Sequence, residues 1–143
     1  MAPPDTGASG TSRSAVCACG TATITVEGPP AFQGICHCDN CKRRTGSGFG
    51  VSTYFPVSKV LGRSGEMRLY AFDHAAQSHR QERHFCARCG TTLYWTISTM
   101  PELIGIAGGC FAGAMFADPG QSLSHDQKER WLSLPTNWTT RPA

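Results

Sequence analysis

Cys36-His37-Cys38-Asp39-Asn40-Cys41 puts three thiols within six residues. Sulfurs that close cannot all pair with one another, so the stretch reads as part of a metal site. Two further pairs flank it, Cys17 with Cys19 near the start and Cys86 with Cys89 later, each spaced so that both thiols can turn toward one ion. Seven of the eight cysteines are then ligand-like, divided four and three.

Outward from this cluster, Ala22, Ile24 and Val26 alternate with threonines, the period-two pattern of a half-buried strand, which Gly28-Pro29-Pro30 ends. A short run from Ala31 to Ile35 leads into the cysteines. Asp39 is expected to cap one or two helical turns through Cys41-Lys42-Arg43-Arg44, stopped at Gly46. Strand-like stretches then recur at Phe49 to Phe55, Met67 to Phe72, Gln81 to Phe85, Thr92 to Ile97 and Leu103 to Ala107. Turn signals separate them at Pro56, Gly62 to Gly65, Asp73-His74, Cys89-Gly90 and Met100-Pro101. The expected fold is mainly β: one domain of short-strand meanders, a sandwich or open barrel, pinned by metal. A short helix is expected over Ser124 to Leu132, packed by Trp131.

Length supports that single domain, 143 residues being enough for one core. Residues 1–13, almost all Pro, Gly, Ser, Thr and Ala, read as a disordered tail, 14–135 as the metal-binding domain and 136–143 as a trailing tail. Charged residues are 16% of the chain, against roughly 25% in an average globular protein. With 16 glycines and nine prolines, that favours strands and loops over long solvent-facing helices. Eight cysteines fall short of a disulfide scaffold's density. The first residues show neither a basic nor an apolar leader segment, so a reducing cytoplasm and metal-bound thiolates are the expectation. No apolar run is long enough to span a bilayer. The formal charge of +3 would fall to about zero once seven thiolates and two divalent ions are counted, so it is no argument for nucleic acid.

Zinc in a structural site takes four ligands in a closed tetrahedron, and Cys17, Cys19, Cys86 and Cys89 supply them as two pairs. The alternative, buried free thiols or a redox dithiol, lacks the βαβ surroundings of a thioredoxin-type motif. Cys36, Cys38 and Cys41 offer three thiolates and an open fourth position, the arrangement of a catalytic zinc, unless Cys110 or a histidine closes it. Three thiolates donate so much charge that a bound water is hard to deprotonate, so hydrolysis is not the first expectation. Such a site is better suited to taking up a fourth thiol and presenting it as a nucleophile. His37, Lys42, Arg43 and Arg44 are candidates for meeting substrate, the cations by attracting carboxylates, although a hydrogen-bonded imidazole and a solvated helix face are the plainer readings. Tyr94 and Trp95 are expected to fill the core, as is Cys110.

Taken together, Cys17-x-Cys19-Gly20, Cys36-His37-Cys38-x-x-Cys41-Lys42-Arg43 and Phe85-Cys86-x-x-Cys89-Gly90-Thr91-x-Leu93 resemble the glutathione-dependent formaldehyde-activating enzyme family, whose domain also occurs in centromere protein V. The likeness runs from about Val16 to Pro135. It implies a mainly-β, zinc-bound fold with a structural zinc on Cys17, Cys19, Cys86 and Cys89 and a second zinc on Cys36, Cys38 and Cys41. It also implies the reaction, addition of the glutathione thiol to formaldehyde, a carbon–sulfur bond-forming step classed with the lyases. Members commonly read Gly-Thr-Leu-Asp where this chain has Gly108-Gly109-Cys110-Phe111, and a glycine where it has Ala15-Val16.

The expected partners are therefore a small thiol such as glutathione and a small aldehyde, with no membrane and no nucleic acid. The rival from another class is a non-catalytic zinc module that binds a protein or nucleic acid. Against it, there is no long Lys/Arg stripe with interleaved aromatics.

Overall fold

Ala22, Ile24 and Val26 are all buried, as their spacing requires, and the strand that holds the last two is one of eleven among the described residues. The computed structural model describes residues 11–114 and 118–143. In chain order the elements are β1 (Ser12–Val16), β2 (Thr23–Glu27), β3 (Phe32–Cys36), α1 (Asp39–Thr45), β4 (Gly50–Pro56), β5 (Val60–Ser64), β6 (Met67–His74), β7 (His79–Cys86), β8 (Thr92–Ile97), β9 (Leu103–Ala107), β10 (Gln121–Leu123) and β11 (Thr139–Arg141), with short 3₁₀ turns between some of them. They form two open sheets, β1-β2-β5 and β11-β10-β3-β4-β9-β8-β7-β6. Among the described residues no closed barrel forms.

The larger sheet has an antiparallel meander, β6 to β9, but its other end is mixed, because β10 lies parallel to both β3 and β11. Its two faces are distinct. One carries Phe55, Leu93, Ile104 and Ile106, which pack against Ala15, Ile24 and Val26 of the small sheet to make the main core. A bulge in β8 helps, since Tyr94 faces His84 and Thr92 faces Phe85, leaving Leu93 as the extra residue. The other face carries Tyr54, Trp95, Ile97 and Ala107.

Several local expectations are corrected. The N-cap of α1 is Cys38, not Asp39: the Cys38 sulfur accepts the Cys41 N–H at 3.4 Å, which places Asp39 inside the first turn. Gly46 does end the helix, in the left-handed conformation. Over 124–132 only His125–Gln127 forms a turn of 3₁₀ helix, because Ser124 is left-handed and Lys128 already extended, and Trp131 is 71% exposed instead of packing a helix. The glycines at 62 and 65, taken for a turn, flank or lie in β5, which pairs with β2 through a bulge. Ser12 and Arg13 belong to β1 and Thr139–Arg141 forms β11, so neither proposed tail is wholly irregular; residues 1–10 of the first lie outside the described residues. No described helix is long and apolar enough to cross a membrane.

Candidate functional site

The two cysteine pairs at 17/19 and 86/89 are built as matching hairpin knuckles. Cys17 and Cys86 are buried at the ends of strands, while Cys19 and Cys89 are exposed, and each exposed cysteine is followed by Gly-Thr. Gly20 and Gly90 turn the chain with φ of 84° and 81°, a conformation that disfavours other residues, and their N–H groups return to the Cys17 and Cys86 carbonyls at 3.0 and 2.9 Å. The Ala22 N–H donates to the Cys17 sulfur at 3.2 Å and the Arg88 N–H to that of Cys86 at 3.4 Å. The four sulfurs lie within 4.8 Å of one another, with Cys17–Cys19 at 3.6 Å and Cys19–Cys86 at 3.8 Å. A tetrahedron with metal–sulfur bonds of about 2.3 Å has edges of about 3.8 Å, so the donor set fits one zinc-sized ion. Cys89 is held low, at about 5, first by the Thr91 hydroxyl and then by the Thr91 backbone.

The second group sits where β3 runs into α1. Cys36 closes the strand, Cys38 caps the helix and Cys41 lies one turn on, which turns all three sulfurs to one side within 4.8 Å of each other. They compete for protons. Cys38 is drawn down to about 2, chiefly because Cys36 and Cys41 hydrogen-bond to its sulfur, while Cys41 is pushed up by Cys36, by Cys38 and by burial. A central cation would let all three ionise together, so this donor set also fits a metal. Among the described residues no fourth His, Cys, Asp or Glu completes the group. Cys110, weighed above as a fourth ligand, is in neither cluster; it is half-buried and packs against the cores on both faces of the sheet.

The trio opens on a cavity of about 390 Å³ whose wall is the second face of the large sheet. One row of cross-strand neighbours runs along it: Phe32, Tyr54, Gly105, Trp95, Arg83 and Tyr70, from β3 to β6. Gly105 lies directly under the indole of Trp95, where any Cβ would collide with Nε1. The indole therefore reaches across β9 and donates to the Tyr54 hydroxyl oxygen at 3.1 Å. Burial pushes Tyr54 up to about 12, with Cys41 and Cys36 adding to the effect and Trp95 and Arg44 opposing it. With its oxygen already accepting from Trp95, the tyrosine's own proton is available to the cavity.

The sequence-derived candidates separate here. Arg44 lines the cavity, its guanidinium 4.5 Å from the centre of the Trp95 ring. Arg43 is exposed and lines a neighbouring hollow. Lys42 turns away, bonding Glu129 and the Gln127 carbonyl at 2.8 Å each and so tying α1 to the C-terminal segment. His37 is fully buried and points away from the cavity: its Nε2 shares a hydrogen bond of 2.8 Å with Ser122, which shares another with His125 Nδ1. Trp95 is buried as expected but is also cavity wall. Tyr54 and Arg83 were missed; both stand in strands whose neighbours give no local sign, and only strand register brings them to the cysteines.

A profile described as "Glutathione-dependent formaldehyde-activating enzyme" matches residues 12–131. The chain belongs to that family. No curated protein sequence matches it. Among solved structures, the family chain is similar to the crystal structure of a Rhodobacter sphaeroides protein, with a TM-score of 0.52 and 21% identity, covering 72% of this chain and 89% of that one. That likeness is one of fold.

Proposed function

We propose that the protein is a zinc-dependent carbon–sulfur bond-forming enzyme that adds a thiol such as glutathione to a small aldehyde such as formaldehyde in the cavity beside Cys36, Cys38 and Cys41. Family membership supports thiol and formaldehyde chemistry in general. The observation that carries the reading further is a three-sulfur group that no fourth His, Cys, Asp or Glu completes among the described residues, opening on a cavity that also presents a protonated tyrosine. Bound there, zinc would supply a thiophilic centre that lowers the pKa of an incoming thiol. The Cys17, Cys19, Cys86 and Cys89 set, closed by protein sulfurs, is assigned a structural ion.

The chain's own groups then account for the rest. The thiol sulfur, its proton lost to solvent, attacks the carbonyl carbon and forms the C–S bond. The carbonyl π pair moves to oxygen, where the Tyr54 hydroxyl hydrogen-bonds and gives its proton; the tyrosine is reprotonated from water. Thiol plus aldehyde thus gives one hemithioacetal with nothing left over. Trp95 fixes the tyrosine's oxygen.

Replacing Cys38 by Ser should abolish activity while one zinc per chain remains, measured by metal analysis beside turnover. Loss of both ions with unfolding would instead make the trio structural. If neither zinc site changes its absorption spectrum on addition of millimolar glutathione, the non-catalytic zinc module becomes the better reading.

A further inference from the structure

Two of the arginines that line the cavity beside the cysteine trio, Arg44 and Arg83, meet no carboxylate side chain there. Arg83 is 9% exposed; its Nε donates to Gln81 Oε1 at 3.1 Å and its Nη2 to Asn40 Oδ1, so the side chain is held by neutral groups only. Arg44 Nη2 is buried and without a hydrogen-bond partner. The ion pairs among the described residues are Lys42–Glu129 and Arg80–Asp73, and no Asp or Glu lines the cavity. Burial, and then Arg44, lowers the pKa of Arg83, against the opposing pull of Cys41 and Cys38. A buried guanidinium beside a half-buried one of the same sign is costly to keep, and such a pair, held in place by Gln81, Asn40 and Trp95, is what an anion site looks like before its anion arrives.

The site is close to the sulfurs. A methyl group on Gly50 would lie 2.5 Å from Arg44 Nη2 and 3.4 Å from the Cys41 Cβ, so one small group's space separates them. Glycine at position 50 leaves the guanidinium free to lie there. In a cavity of about 390 Å³ shared by two reactants, the planar carboxylate is the anion that adds least bulk, and it matches the guanidinium fork.

We propose that Arg44 and Arg83 form a carboxylate-recognition subsite, so that one of the two reactants carries a carboxylate two or three bonds from its reacting atom. The inference rests on the reading that thiol and carbonyl meet beside the trio. The carboxylate comes either from the thiol, as in a short mercapto acid, or from the carbonyl partner, as in a 2-oxo acid. Either source puts the charge nearer the reacting atoms than the remote carboxylates of a tripeptide thiol.

The test uses the full chain loaded with zinc. Calorimetry compares propionate with propionamide, and kinetics compare mercaptoacetate with 2-mercaptoethanol in one arm and glyoxylate with glycolaldehyde in the other. We expect propionate to bind and propionamide not to, and one kinetic arm to favour the acid by on the order of 30-fold in kcat/KM. Whichever arm responds identifies the source. Arg83→Gln and Arg44→Gln should each erase that preference; should Arg83→Gln not fold, Arg44→Gln, whose Nη2 has no hydrogen-bond partner, gives the answer alone. Arginine-dependent binding of propionate without turnover would uphold the subsite and sink the proposed reaction. Turnover with acids and neutral analogues treated alike, or a preference that survives both substitutions, overturns the subsite and leaves the reaction standing.

Discussion

Tyr54 keeps its proton because its surroundings cannot solvate a phenolate, and that has two measurable consequences. Tyr54→Phe removes the donor to the developing alkoxide without touching a ligand, so kcat should fall on the order of 10²-fold while zinc content stays unchanged. The second consequence is in folding. Burial raises the folded pKa of this group from 10 to about 12, so its neutral form contributes stability that is fully present below pH 10 and is lost as pH rises through 12. Urea unfolding at pH 9 and at pH 11.5 should show a larger loss for the wild type than for Tyr54→Phe, the difference being roughly 2–3 kcal/mol at most. At this scale the sequence is legible for the cysteines and opaque for Tyr54. Sulfurs that could share one ion come in sequence-local pairs such as Cys86 and Cys89, and spacing alone betrays their clustering. A tyrosine in Ser-Thr-Tyr-Phe looks like any strand residue until its partners on four other strands are known.

The strand row that carries Tyr54, Trp95 and Arg83 depends on a residue with no side chain. Gly105→Ala would drive a methyl into the indole, displacing Trp95 and breaking its bond to Tyr54. We expect a loss of about 1–3 kcal/mol in chemical denaturation, with activity reduced further than stability alone explains. Elements with one apolar face were readable: β2 by alternation, β4, β8 and β9 by their buried runs. Elements without one were not. β5 (Val-Leu-Gly-Arg-Ser) is mostly exposed, β11 wholly so, and each exists because a neighbouring strand offers backbone partners. The same blindness hid the cap of α1, where the Cys38 sulfur does what a carboxylate was expected to do.

Across the molecule, the four-sulfur clamp joins the small sheet to the far part of the large one, since Cys17 and Cys19 lie between β1 and β2 and Cys86 and Cys89 between β7 and β8. Its ion would contribute to folding outright. Cys86→Ser should therefore lower the melting temperature steeply and cost both zinc retention and activity, unlike Cys38→Ser, in side-by-side thermal scans and metal analysis. A mainly-β domain was foreseeable from many short strands and turn signals; the parallel β10 was not, because three residues carry no periodicity.

The clamp sulfurs of Cys19 and Cys86, proposed to share one ion, are 67 residues apart. Closing so large a loop is entropically slow, so the ion should be captured only after the strands that present those sulfurs have met. An interaction that forms so late leaves the refolding rate alone and appears entirely in the escape rate. In stopped-flow experiments, stripping the metal should leave the refolding limb of the chevron in place and raise the unfolding limb, so that the clamp behaves as a latch on a door that shuts unaided.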